Sequence, residues 1–422
     1  MRIAVVGSGI AGLSAAWLLS RQHKVTLFEA EDRLGGHTHT VDLTLGGRSF
    51  PVDTGFLVFN HRTYPKLTRL FKEIGVETVA SDMSFSVRLD EPDLEWAGSS
   101  LATVFGQAAN LGRPAFWRML RDILRFNRES VVDSEKIGTM ALGVYLKRQG
   151  YGKSFVEWYL LPMAAAIWSC PTSTMLDYPL RSFVAFCRNH GLLQIFNRPQ
   201  WHTVRGGGRE YVKRLAAALP EIHLASPVES LRRRGHALEI VSGSLSGMYD
   251  QVVLACHSDQ SRDLLAQIDP QRARLLDRIP YQFNRAVLHS DARVLPRRTT
   301  LWSAWNYQSG NGALDSRPVA VHYLINRLQP LPVDTPVIVS LNPLEPVDPS
   351  LIHREFQYSH PVFKRDAAQV QSQLAASNGR DGIWLAGAWM GYGFHEDGLA
   401  SALRVARRLK VVAPWETLAN AA

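Results

Sequence analysis

The 422-residue chain is predicted to form an α/β fold built on a parallel sheet, with an inserted α+β region. Three observations lead there. The chain opens on an apolar, β-branched run, Met1 to Val6, that ends in Gly7, Gly9 and Gly12. An Ala/Leu-rich helical pattern follows. A second apolar run, Lys24 to Phe28, carries Glu29 and Ala30 at its end. Strand, glycine turn, helix, strand and acid fall at the spacing of a Rossmann-type dinucleotide-binding unit. Gly7 permits the tight turn, Gly9 lets backbone N–H groups approach a pyrophosphate, and Gly12 lets the helix press on the sheet. Ile10 and Ala11 stand at the helix N-terminus, whose partial positive charge faces the phosphates. Glu29 is placed to accept hydrogen bonds from a ribose.

The length exceeds what one core usually supports, so two domains are expected. With 46% hydrophobic and 20% charged residues the composition is globular, which excludes a disordered or fibrous chain. A formal net charge of +9 favours anionic partners such as phospholipid headgroups or nucleic acid. Cys170, Cys187 and Cys256 are far apart and lack metal-ligand spacing, which suits a reducing cytoplasm. The N-terminus reads as a buried strand rather than a signal peptide. The most apolar run, Tyr159 to Trp168, contains Pro162 and is too short to cross a bilayer.

A second glycine pair follows in Asp32-Arg-Leu-Gly-Gly-His37. A nicotinamide-binding unit needs only the first turn, so this pair narrows the dinucleotide. With both motifs the chain resembles the amine-oxidase superfamily of FAD flavoproteins, which includes monoamine oxidases, phytoene desaturases and protoporphyrinogen oxidases. The resemblance implies non-covalent FAD, with Arg33, Gly35, Gly36 and His37 over its pyrophosphate and ribityl chain. Pro51 to Asn60 resembles the family's Asp-x-Gly segment, whose Gly55 and Phe56 would pass beside the isoalloxazine ring. Pro227-Val228 matches the family's Pro-Val, with Val228 bracketing the adenine. Gly387 to Leu403 matches the closing segment, where Asp397, Gly398 and Leu399 open a helix aimed at the pyrimidine end of the flavin. Such a helix N-terminus stabilises the negative charge of reduced flavin. The family's acid after the Gly387 position is replaced by Ala388.

The expected layout is a discontinuous FAD-binding domain from residues 1–80, 203–280 and 376–412. A substrate domain takes 81–202 and 281–375, and 413–422 is a C-terminal tail. Within the substrate domain, Phe116, Trp117, Leu120, Ile123 and Leu124 share one helical face, while Arg118, Arg121, Arg125 and Arg128 line another. This basic amphipathic helix, 114–128, is a candidate for peripheral membrane contact or simply a surface helix. The stretch Tyr159 to Pro171 lines an apolar tunnel or packs as core; periodicity does not separate the two. Arg232-Arg-Arg234 lacks interleaved aromatics and is read as a solvated hairpin end, not a nucleic-acid patch. His37 and His39 have no acidic or cysteine companion, so no metal is expected.

Three residues are candidates for polar groups near the ring: His395, Glu396 and Arg285. His395 falls where monoamine oxidases carry a cage tyrosine. Glu396 either faces the ring or caps a helix. Arg285 falls where amine oxidases carry a lysine, and it either orients an anionic group or pairs a surface carboxylate. Arginine stays protonated and does not act as a base, which weighs against amine oxidation. The segment Tyr281 to Tyr307 resembles a superfamily subgroup found beside, or fused to, cyclopropane-fatty-acid synthase-like lipid methyltransferases. That resemblance implies an FAD-dependent dehydrogenase, oxidase or desaturase that takes hydride from a fatty-acyl or phospholipid chain, with such a methyltransferase as partner. The alternatives are an amine oxidase and a non-catalytic flavin-containing partner of the methyltransferase. The cysteine usage and the N-terminal strand lead to the expectation of a cytoplasmic protein, with the helix 114–128 as the candidate for membrane association.

Overall fold

The structure is a computed structural model that describes residues 1–137, 139–168, 175–189, 191–194, 197–310 and 319–416. A five-stranded, wholly parallel sheet has the spatial order Ile222–His223, Lys24–Phe28, Arg2–Val6, Gln251–Leu254, Ile383–Leu385. Its strands are short apolar runs because both faces are covered, and Ile3, Ala4 and Val5 have no exposure at all. The first helix, Ile10–Leu19, is buried at all ten positions. Being apolar all round, it packs between this sheet and the last helix, His395–Arg408.

A three-stranded meander, Ser230–Arg234, Ala237–Ser242 and Leu245–Tyr249, leads into the strand Gln251–Leu254. Turns fall at Gly235 and Gly243, both with positive φ.

A seven-stranded sheet has the order Ile352–Pro361, Tyr281–His289, Ile338–Leu341, Val319–Leu324, Trp305–Ser309, Phe85–Leu89, Leu94–Ala97. Only the pairing of Phe85–Leu89 with Trp305–Ser309 is parallel. The two large sheets therefore draw on separate stretches of chain. Between them lies a small sheet in which Trp201–Val204 pairs with both Thr78–Ser81 and Phe59–Asn60. The expected crossings near residues 81 and 203 thus run side by side as paired strands. Residues 413–416 are not a loose tail. Ala413 is buried, Trp415 stacks on Trp17 with centroids 6.1 Å apart, and Glu416 pairs with Arg407.

The basic amphipathic stretch forms a longer helix, Pro114–Ile137, rotated from the expected face. It buries Phe116, Met119, Asp122 and Phe126 and leaves Trp117 and Leu124 exposed beside the arginines. The reason is local: Phe126 enters an aromatic cluster with Tyr145, Tyr151, Phe155 and Phe183. Asp122 accepts a hydrogen bond from the Gly152 N–H at 2.9 Å on the same side. The apolar run from Tyr159 continues as the helix Leu161–Trp168, with Leu161, Ala164 and Ala165 in the core and Ile167 at a cavity wall. Cys170 and Pro171 lie outside the described residues. No helix among the described residues is long and apolar enough to cross a membrane.

Candidate flavin site

The carboxyl ends of the parallel strands converge on a cavity of about 700 Å³. In open α/β sheets that edge is where ligands bind. Gly7 takes φ +97° and donates its N–H to the Phe28 carbonyl at 2.8 Å. A Cβ on Gly12 would stand 1.8 Å from the Gly7 oxygen, so only glycine lets the helix close on the turn. Nothing lies within 4 Å of a Cβ built on Gly9. The wall there is bare backbone, and the first helix carries no side-chain cap and no acid in its first turn. Its leading N–H groups have no intrahelical acceptor and face the cavity.

Glu29 lines the same end, its carboxylate accepting from the Ser8 N–H at 2.8 Å and the Glu31 N–H at 2.9 Å. The second glycine pair folds onto the first turn. Gly35 donates to the Ser8 hydroxyl at 3.1 Å, and a Cβ on Gly36 would come within 3.1 Å of the Gly9 Cα. Ala30, Gly35, Gly36, His37 and Val228 all line the cavity, as do Ile10 and Ala11. Arg33 does not. It donates to the Gly36 carbonyl at 2.9 Å, pairs with Glu31, and lines a separate shallow groove with Arg209, Lys213 and Arg354. Those contacts tie the Arg33 side chain to the second glycine loop.

At the other end, a Cβ on Gly55 would stand 2.1 Å from the His37 carbonyl, and Phe56 donates its N–H to that oxygen at 2.9 Å. Phe56 stacks on His395 with centroids 3.7 Å apart and an interplanar angle of 17°. His395 Nε2 stands 2.9 Å from the Thr38 hydroxyl and 3.2 Å from the Tyr211 hydroxyl, which bond to one another. Burial holds the His395 imidazole down at about 3, so it is neutral at physiological pH. Neutral His395 can exchange a hydrogen bond with a polar ligand atom; it carries no charge toward it.

Three further histidines share this wall. His37 lies 5.0 Å from His360 and 6.0 Å from His257 between centroids, and His257 stacks on Tyr281 at 4.0 Å. Burial is the largest cause lowering each, His360 to about 4. The Nε2 of His37 is buried with no hydrogen-bond partner, a ready contact for a polar ligand. No group of three or more His, Cys, Asp or Glu among the described residues is placed to hold a metal ion.

The last helix begins at His395, two residues before the expected start. Asp397 accepts from the Phe394 N–H at 3.0 Å, and burial raises its carboxyl to about 6. Gly398 and Leu399 are buried behind the cavity; a Cβ on Gly398 would stand 2.8 Å from the Ile10 side chain. These three position the helix end instead of lining the site. Gly387 and Ala388 do line it, the Gly387 N–H donating to Ser401 at 2.8 Å.

Two catalytic candidates are corrected. Both carboxylate oxygens of Glu396 accept backbone N–H groups, from Lys66 at 2.9 Å and Leu67 at 3.0 Å. These are orphan donors at the start of the helix Pro65–Glu73, whose own N-cap, Tyr64, supplies no side-chain bond. Glu396 is a cap delivered from a distant helix. Arg285 lies outside the cavity lining and pairs with Glu355 at 2.6 Å on the solvent-facing side of the sheet. Its side chain turns to solvent because strand alternation places Ala286, and not residue 285, toward the core.

Thr38 and Tyr211 carried no motif, and Asp53 was visible only as the acid of the Asp-x-Gly segment, without its partners. Thr38 and Tyr211 grip His395, and Asp53 accepts from the Gly208 N–H at 2.9 Å and from Gln329 at 2.9 Å. Asp53 thereby ties the Gly206–Gly208 loop to the ring end, its carboxyl pushed up to about 6 by burial. His257 and His360 were equally silent. The available signal was topological: His257 stands just past the carboxyl end of Gln251–Leu254, where ligand contacts concentrate.

The bare helix N-terminus, the ribose acid, the unpartnered His37 nitrogen and the glycine walls fit FAD, and with this fold they define an FAD-dependent oxidoreductase. Residues 10–293 match the family of flavin containing amine oxidoreductases, and the chain belongs to that family. A Mycobacterium tuberculosis protein named as a flavin-containing monoamine oxidase, AofH, is 24% identical over 339 residues, covering 76% of this chain and 70% of that one. Among solved structures, wild-type putrescine oxidase bound to putrescine superposes with a TM-score of 0.67 at 15% identity, covering 97% of this chain and 99% of that one. A conjugated-linoleic-acid-producing fatty acid isomerase from P. acnes superposes with a TM-score of 0.68 at 13% identity, covering 96% and 98%.

Proposed function

We propose that this flavoenzyme removes hydride from an apolar substrate, a fatty-acyl chain of a lipid. Bound FAD supplies the two-electron chemistry; Gly7 to Gly12, Glu29, Gly35, Gly36 and His37 would hold it. The observation that carries the substrate class is the lining beyond the nucleotide end. Met83, Ile167, Phe186, Leu192, Trp305 and Leu341 form an apolar chamber there. Among the described residues lining the whole cavity, the only carboxylates are Glu29, Glu31, Glu229 and Asp263, and there is no lysine or arginine. Glu29 and Glu31 follow the second parallel strand, and Glu229 adjoins Val228 at the adenine end. A cationic amine entering the chamber would lose its hydration without meeting a carboxylate, at a cost of several kcal/mol. An acyl chain meets dispersion contacts and loses only water.

The chain's own contribution is orientation and dryness. Phe394 stacks on Phe186 with centroids 5.0 Å apart, joining the chamber to the residue before His395. Neutral His395, held by Thr38 and Tyr211, gives an uncharged polar contact beside the chamber, as do the other histidines of that wall. A lipid methyltransferase partner, which acts on the same acyl chains, is part of this proposal.

One observation favours an amine instead: the Mycobacterium tuberculosis relative carries an amine-oxidase name. The same fold also occurs in a fatty acid isomerase, so the fold leaves the choice to the chamber. The deciding experiment is anaerobic mixing of the yellow holoprotein with membrane lipids and, separately, with primary amines and polyamines. Bleaching of the flavin by lipid and not by amines supports the acyl substrate. Bleaching by an amine, with hydrogen peroxide formed on admitting air, overturns it.

A further inference from the structure

The helix Pro114–Ile137 presents an outer face that its sequence pattern did not assign to solvent. Trp117 is 49% exposed and Leu124 56%, both on the side opposite the buried Phe116, Met119 and Phe126. The turn before it adds Leu111 at 55% exposure, and the short helix Leu101–Val104 adds Leu101 at 79%. These belong to one surface. Trp117 donates its indole N–H to the Leu111 carbonyl at 2.9 Å, and its ring lies 5.1 Å from Phe105, one helical turn after Leu101. Four large apolar groups displayed together on a monomer mark a contact surface.

Its charge says what the contact is. Between residues 113 and 129 the chain carries five arginines against two acids. One of those acids, Asp122, is turned inward onto Gly152, so it screens little of the outer face. Arg121 and Arg128 are exposed on the same side as Trp117 and Leu124, whereas the Arg118 side chain passes beside Gly152. Arg128 pairs with Glu129, an exposed pair of the kind that is weak and releases readily, and Arg121 stands 3.6 Å from the inward Asp122 with most of its own side chain in solvent. Apolar and basic groups interleaved on one face, with an indole whose N–H is already satisfied, match the interface of an anionic bilayer. A protein partner would have to cover leucines and arginines alternately.

We propose that this face docks the protein on an anionic phospholipid surface, with Leu101, Leu111, Trp117 and Leu124 entering the headgroup region and Arg121 and Arg128 pairing with lipid phosphates. The docking face also has a short route inward. On the other side of the helix, Phe126 lies 6.4 Å from Phe183, and Phe183 shares the helix Leu180–Asn189 with the chamber residue Phe186. Docking needs no particular substrate, and its test reads binding rather than turnover.

The test is flotation of the FAD-loaded full chain with vesicles of phosphatidylcholine alone and of phosphatidylcholine mixed with phosphatidylglycerol. Binding is expected only to the mixed vesicles, with a blue shift of tryptophan emission that Trp117→Phe largely removes. Arg121→Glu with Arg128→Glu lowers the partition at least roughly tenfold, and added salt does the same to the wild type. Leu124→Ser lowers it less. Arg232→Glu with Arg233→Glu makes the same charge change on the remote hairpin and leaves binding within about twofold if the face, not total charge, is responsible. Retained flavin absorbance shows that each variant is folded. Equal binding to both vesicle types, no binding, equal loss from the hairpin variant, or a concentration-dependent dimer broken by Trp117→Ala would overturn the proposal.

Discussion

Two helix N-termini aim at one cavity, and they are built in opposite ways. The first, at Ile10, is bare: Gly9 meets nothing, no side chain caps it, and the ligand meets backbone. The last, at His395, is clothed by Thr38, Phe56 and Tyr211 from elsewhere in the chain and by Asp397 of its own first turn. A pyrophosphate is a fixed target that backbone N–H groups satisfy in any member of a dinucleotide-binding class. The reacting end must suit one substrate, so its shape and polarity are set by side chains. What differs between the two ends is how far a substitution is felt, and in what.

The largest effect is expected at the bare end. Gly12→Val places methyl groups into the Gly7 carbonyl, which backbone cannot yield. Overpacking of this kind costs about 3 kcal/mol, and the purified protein should be colourless even with FAD supplied. If Gly12→Val is yellow and stable, the turn does not have the close packing described. At the clothed end, His395→Phe keeps the stack on Phe56 and removes the bonds to Thr38 and Tyr211. Flavin should remain bound while its reduction rate falls by roughly one to two orders of magnitude. Because burial already holds His395 near 3, the wild-type rate should show no step from this residue between pH 5 and 8. A step there that vanishes in His395→Phe would break the assignment.

Glu396 separates capping from catalysis. Glu396→Ala should lower stability by about 1 to 2 kcal/mol, read as a fall in Tm, with turnover per folded molecule nearly unchanged. A loss of turnover at unchanged Tm would return Glu396 to the reacting end.

A pH effect is expected far from both helix ends. Ser340 bridges His289 and His322 at 2.7 Å each inside the seven-stranded sheet, and burial lowers these histidines to about 4 and about 3. Their folded values lie below the unfolded value of about 6.5, so the unfolded chain binds more protons under that pH. The stability they contribute is complete above about 6.5 and is lost as pH falls toward about 4. Asp53 and Asp397, raised to about 6, act in the opposite direction, gaining stability as pH falls. Denaturant unfolding of wild type and His322→Gln across this range isolates the histidine part, and the variant should show the shallower acid loss. The smallest effect is at Arg285. Arg285→Ala breaks an exposed pair with Glu355 and should change neither Tm nor flavin reduction measurably.

The bare end was legible in sequence because glycine spacing is itself the mechanism: Gly7, Gly9, Gly12 and Glu29 need only local turn, helix and strand. The same holds for the parallel sheet, whose short apolar runs have no other use than burial on both faces. Arg33 and Glu396 were legible as special positions but not in their roles, since each depends on which distant backbone lies within reach. Trp117 and Leu124 were read by helical period alone, and the aromatic cluster around Phe126 turned the helix the other way.

By itself, then, the sequence determined the cofactor class and the framework that holds its nucleotide end, because those rest on contacts between neighbours in the chain. Only the tertiary structure decided the character of the reacting end. There, Thr38 and Tyr211 meet His395 from 357 and 184 residues away, and His257 and His360 meet His37 on the same wall. Each local environment, and with it each charge state, exists only once those segments have excluded water between them.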